Sequence, residues 1–173
     1  MKYSSFLSFI SLVFVLYAPC SGATFSVGFG TYEESVEGPF LYFSDRFGNL
    51  IDSDDTAILA AGYFVSGTPG DHETFNDFYD DFNVVASVST DNILQAGYWS
   101  GSVAVSDPTA SDAEGKTPYT FGLFGTSSFD SVSTVSEFMV YGDSNWSAFP
   151  APLDQSPPTL DLQTTLNPDE ILA

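Results

Sequence analysis

From residue 24 onward the chain alternates. In Thr24–Gly30, TFSVGFG, Phe25, Val27 and Phe29 fall on one face and Thr24, Ser26 and Gly28 on the other. That period of two predicts a half-buried strand. After an acidic stretch, Pro39–Phe43, PFLYF, reads as a short strand too apolar to be one-sided. Asp45–Asn49, DRFGN, has turn chemistry, because Gly and Asn tolerate positive φ. Leu50 and Ile51 extend the returning strand until Asp52–Asp55 breaks it. Thr56–Ser66, TAILAAGYFVS, is the longest uninterrupted apolar run of this part of the chain and predicts a central strand covered on both faces.

Beyond the turn at Gly67–Gly70 the period changes. Phe75, Phe78, Tyr79 and Phe82 recur at i, i+3, i+4 and i+7, with Asn76, Asp77, Asp80 and Asp81 opposite. This predicts one short helix, about 73–82, capped by Asp71 or Thr74, lying across a face or mouth of the sheet and fraying at its acidic end. Strands resume at Asn83–Thr90 and Gln95–Val105, the latter with Trp99, Val103 and Val105 on one side. Ser106–Lys116 reads as a loop. Pro118–Gly125 aligns Tyr119, Phe121 and Leu123, and Thr134–Tyr141 sets Phe138 and Val140 opposite Val135, Met139 and Tyr141. Short strands about ten residues apart predict an all-β fold, an antiparallel β-sandwich or jelly-roll-like domain. Four prolines after Pro150 predict an extended or disordered tail with one edge strand around Thr159–Leu162. The organisation expected is 1–23 leader, 24–150 β-sandwich domain and 151–173 tail.

Composition adds export to this picture. Lys2, the apolar run Phe6–Ala18 and small residues Ser21 and Ala23 read as a secretory signal peptide cleaved after Ala23. The run is short for a membrane span. Pro19 spoils a lipid-attachment motif at Cys20, the only cysteine, which leaves with the leader. The mature chain then has no disulfide, thiolate or cysteine metal site, and no membrane attachment is expected of it. Its cations, Arg46 and Lys116, face 23 acidic residues, a net charge of −21. Such a field repels phosphates, which excludes nucleic acid and anionic lipid as partners. With 16% aromatic and 43% hydrophobic residues the chain still has material for a packed core. Most carboxylates lack a basic partner, so a saline medium or divalent cations would suit it.

Candidate chemistry is sparse. Asp45, Asp52, Asp54 and Asp55, with Asn49 nearby, are oxygen ligands suited to calcium, but their spacing is not that of a helix–loop–helix site and a solvated acidic turn accounts for them better, since calcium needs six or more converging oxygens. No other cofactor is implied. His72 is the only histidine, no G-x-S-x-G motif accompanies it, and none of the many carboxylates stands out as a glycosidase pair. Tyr98 and Trp99, or Trp146 with Phe149, are aromatic platforms on which a sugar could stack, or else core residues. Asn145-Trp146-Ser147 is an N-glycosylation sequon, meaningful only in a eukaryotic source.

Gly115-Lys116-Thr117-Pro118-Tyr119, Glu137–Tyr141 and Trp146–Pro150 resemble a run in secreted proteins of the PEP-CTERM sorting class of aquatic bacteria. Phe40–Phe43, Gly48-Asn49-Leu50 and Ala61–Phe64 are similar to the upstream part of that domain. The resemblance implies export from exopolysaccharide-producing cells and no catalytic residues. No Pro-Glu-Pro motif, apolar span and basic tail occur before Ala173, so the expectation is plain secretion or a truncated reading of the gene. The function expected is a secreted, acidic, non-enzymatic β-domain of the extracellular or exopolysaccharide matrix, with polysaccharide or divalent cations as partners. The alternatives are a lectin-like, calcium-assisted carbohydrate-binding module and, behind it, a carboxylate-based hydrolase.

Overall fold

A computed structural model describes residues 22–30, 47, 49–70, 72–90, 93–95 and 98–163. Its elements in chain order are β1 (Thr24–Gly30), β2 (Ala57–Phe64), α1 (Phe75–Asp81), β3 (Phe82–Ser89), β4 (Ile93–Gln95), β5 (Tyr98–Ser106), α2 (Thr109–Ala113), β6 (Tyr119–Phe124), β7 (Glu137–Tyr141) and β8 (Thr159–Gln163). They form two four-stranded sheets, ordered β4-β5-β1-β8 and β3-β2-β6-β7. The all-β class is therefore the observed one, and the two sheets share a core in the manner of a sandwich.

That core follows from the alternation. Phe25, Val27 and Phe29 of β1, Val105 of β5 and Leu160 and Leu162 of β8 meet Ala57, Leu59, Ala61 and Tyr63 of β2, with Val88, Phe124 and Tyr141. The other face of the second sheet is equally apolar. Ile58, Ala60 and Phe64 of β2 join Phe121, Leu123 and Val140 in a separate cluster closed by Phe78 and Phe82. This double burial is why the run at Ala57–Phe64 shows no polar position. Helix α1 lies on that outer face, its Phe75 ring 5.2 Å from Phe138 and Phe78 6.0 Å from it. Layers run sheet, sheet, helix.

The helix starts where the sequence allows. Thr74 Oγ1 accepts the Asp77 N–H, and the Asp77 carboxylate accepts the Thr74 N–H at 2.8 Å. That is a capping box, which fixes two otherwise orphaned donors.

Three features differ from the sequence expectation. The stretch 106–116 is not all loop: Thr109–Ala113 is helical and buries Ala110 and Ala113. Two alanines three residues apart carry too little hydrophobic signal to announce a helix. A 3-10 turn, Val132–Thr134, delays β7 to Glu137. The strand in the tail does sit at a sheet edge, but β8 runs parallel to β1, with Val27 opposite Leu160. The first sheet is mixed rather than antiparallel. The strand expected at Pro39–Phe43 lies outside the described residues, as does Asp71.

Candidate functional site

At one end of the sandwich the chain leaves β7 and closes over the core. Gly142 passes so near Tyr119 that a Cβ there would stand 2.9 Å from the ring, which leaves room only for glycine. Asp143 follows and is buried. Its Oδ1 accepts the Asn145 N–H at 2.8 Å and Asn145 Nδ2–H at 2.9 Å, and its carbonyl accepts the Trp146 N–H at 3.0 Å. The short turn thus presents exposed Asn145 and half-buried Trp146 side by side. The indole lies 5.4 Å from Tyr141 and packs on the main core. Asn145, the sequon residue, is bonded to Asp143 through its side-chain amide.

Phe149 then docks against Phe25 at 5.9 Å. Its N–H donates to the Lys116 carbonyl at 3.0 Å, and the Gly115 N–H donates to the Phe149 carbonyl at 2.9 Å. Gly115-Lys116 and Trp146–Phe149, distant in sequence, are in this way laced together. Lys116 Nζ stands 5.8 Å from the centroid of the Tyr63 ring, a cation–π contact. The Tyr63 hydroxyl accepts Asn83 Nδ2–H at 2.6 Å. No pattern in the sequence marked Tyr63 and Asn83. They lie inside apolar strands, and only the pairing of β2 with β3 brings them together. Two buried side-chain oxygens, Asp143 Oδ2 and Thr120 Oγ1, make no hydrogen bond among the described residues.

The remaining candidates lie elsewhere. Tyr98 and Trp99 stand on β5 opposite Gln95 and Ile93 of β4. Val105, at the other end of β5, pairs with Phe25, which touches Phe149. Val105 lies six residue steps along the strand from Trp99, about 20 Å at the usual rise. The two tryptophans do not form one platform. Asp45 lies outside the described residues. Asp52, Asp54 and Asp55 share a turn in which the Asp52 carboxylate accepts the Asp54 N–H at 2.8 Å and the Asp55 carboxylate accepts the Asp52 N–H at 2.9 Å. Two of the three carboxylates are thus directed at the turn's own amides. Among the described residues no three His, Cys, Asp or Glu side chains gather as a metal ion would require.

His72 has a structural setting. Its Nε2 lies 3.0 Å from Asp81 Oδ2, and its ring packs 5.4 Å from Phe64 and 5.2 Å from Phe78. Asp81 also accepts the Ser66 N–H at 3.0 Å and Ser66 Oγ–H at 2.5 Å. A serine, a histidine and a carboxylate converge, yet the serine donates to the carboxylate and not to the imidazole. A nucleophile–base pair needs the opposite arrangement. The acidic end of α1, expected to fray, is tied by Asp81 to the connection after β2.

Among the described residues three titrating groups are displaced from their ordinary values, Asp77 and Tyr79 on α1 and Tyr119 on β6. Asp77 is lowered, first by the Thr74 hydroxyl and then by the Thr74 and Glu73 amides. Tyr79 is raised, first by burial and then by Asp130 and Asp80, and Tyr119 is raised by burial. None of the three belongs to the Trp146 turn.

Comparisons with protein-family models, with curated proteins and with solved structures found no match to this chain. No helix among the described residues is long and apolar enough to cross a membrane.

Proposed function

We propose that this chain is an exported, acidic, non-enzymatic β-domain that works in an extracellular, polysaccharide-rich matrix. The observation that carries the reading is the engagement of its reactive side chains. His72 and Ser66 both bind Asp81, while Asp52, Asp55, Asp77 and Asp143 hold the amides of their own turns. These groups stabilise connections, which suits a domain whose task is to stay folded as a polyanion. The test is incubation of the mature protein with acidic and neutral extracellular polysaccharides, with and without calcium. The proposal expects association and no new reducing ends. A steady release of reducing ends would sink it in favour of a hydrolase.

A second reading, carbohydrate recognition, is favoured by one arrangement. Half-buried Trp146 rests on Tyr141 beside exposed Asn145, an apolar face flanked by a polar group, as a sugar ring requires. Oligosaccharide should quench tryptophan emission in the native protein and in Trp99→Phe, and not in Trp146→Ala. Quenching that survives Trp146→Ala would place recognition elsewhere.

A further inference from the structure

We propose that Asp143 and Thr120 hold a monovalent cation of the sodium class inside the sandwich, at the end that the Trp146 turn closes. The starting point is a carboxylate with one oxygen employed and the other idle. Asp143 is only 9% exposed. Its Oδ1 accepts two N–H groups of Asn145, while Oδ2 is buried and accepts none. Asp143 has no ion-pair partner among the described residues. Lys116, the one lysine among them, turns its Nζ to the Tyr63 ring at 5.8 Å. Withdrawing a carboxylate oxygen from water is costly unless a donor or a cation meets it.

Strand register supplies a second oxygen. Thr120 of β6 stands opposite Tyr141 of β7. Phe121 and Val140 belong to the outer cluster and Tyr141 to the main core, so Thr120 faces inward with Tyr141. Gly142 faces the Tyr119 ring, which packs on the outer cluster, and the alternation brings Asp143 back to the inner side. Thr120 and Asp143 are thus diagonal neighbours on one face, about 7–8 Å apart in a regular ladder, a span that two short side chains fill with an ion between them. Thr120 is 1% exposed, and its Oγ1, like Asp143 Oδ2, has no hydrogen-bond partner. Two idle oxygens on one buried face call for a shared occupant.

The ligands set the charge of that occupant. Divalent ions draw several carboxylates together, and among the described residues no three acidic or histidine side chains gather. One carboxylate beside a neutral hydroxyl balances a single positive charge, with backbone carbonyls and water to complete the shell. The field of 23 acidic residues against three basic ones concentrates small cations around the chain. Water is the competing occupant. It can bridge the same two oxygens but brings no charge.

The test compares sodium with choline, a cation too large for the site, at equal ionic strength, so that screening is common to both. The melting temperature should be higher in NaCl than in choline chloride, and the difference should grow with the logarithm of concentration once the site fills. Asp143→Asn keeps an acceptor for Asn145 and removes the charge. It should abolish the difference between the two salts and leave the general rise with ionic strength. Thr120→Val should shrink the sodium advantage, whereas loss of a merely idle hydroxyl would stabilise the fold equally in both salts. Sodium NMR line broadening, greater with the native chain than with Asp143→Asn, reads the same site without reference to stability. Equal melting of the native chain in NaCl and choline chloride overturns the proposal and assigns both oxygens to water, and this comparison needs no variant to fold. A saturating response to calcium that Asp143→Asn removes overturns the choice of a monovalent ion.

Discussion

Single residues decide how closely the layers approach, and Gly62 is the clearest case. A Cβ at this position would lie 2.2 Å from the Asn83 carbonyl oxygen and 2.7 Å from the Phe82 ring. The register between β2 and β3 slips at this point, between Ala61 and Gly62, so the bulge and the glycine belong together. Gly62→Ala must push backbone and not a flexible side-chain tip. It should lower unfolding stability by about 1–3 kcal/mol, read from urea denaturation, with the loss concentrated at the β2–β3 pairing. Nothing in TAILAAGYFVS distinguished Gly62 from its small neighbours. Its role depends on Phe82, which arrives from the far end of α1. The candidate site shows the same limit. Trp146 was visible as an aromatic beside polar residues, while Tyr63 and Asn83 became part of that end only through strand pairing.

At the scale of elements, α1 is the most legible part of the molecule. Its apolar face, its span and the Thr74 cap all follow from local spacing and hydrogen-bonding chemistry. Thr74→Ala should cost about 1 kcal/mol, measured by denaturation, because one orphaned helix donor loses its acceptor. The helix also fixes the pH dependence. Asp77 is lowered below its ordinary 3.8, so the folded state favours its ionised form. That contribution is complete above the ordinary value and is lost as pH falls through the lowered one. Melting temperatures recorded down to strongly acid pH should fall less steeply for Asp77→Asn than for the native chain. Tyr79 is raised above 10.0, so its contribution is complete below that value and is lost as pH rises through the folded one. Tyr79→Phe should flatten the alkaline limb of the same curve. Helix α2 escaped notice because its buried residues are alanines, and β8 was found without its direction because parallel and antiparallel edge strands share one alternation.

For the whole molecule the dominant quantity is charge, 23 acidic residues against three basic ones. Their mutual repulsion opposes compaction, and salt screens it. The melting temperature should therefore rise between about 0.05 and about 1 M NaCl, as the Debye length contracts from over 10 Å to about 3 Å. A flat salt response would mean that the carboxylates are spaced widely enough in the fold to ignore one another. The sequence alone determined this charge, the strand periods, the two-sided burial of Ala57–Phe64 and the short aromatic helix. Each of these depends on residue type or on neighbours within a few positions. Tertiary structure decided which strands meet, that β1 pairs with β5 and β8 and not with β2, and that Trp99 lies far along β5 from the end that Phe149 closes. Those outcomes depend on contacts between residues dozens of positions apart, which no local period encodes.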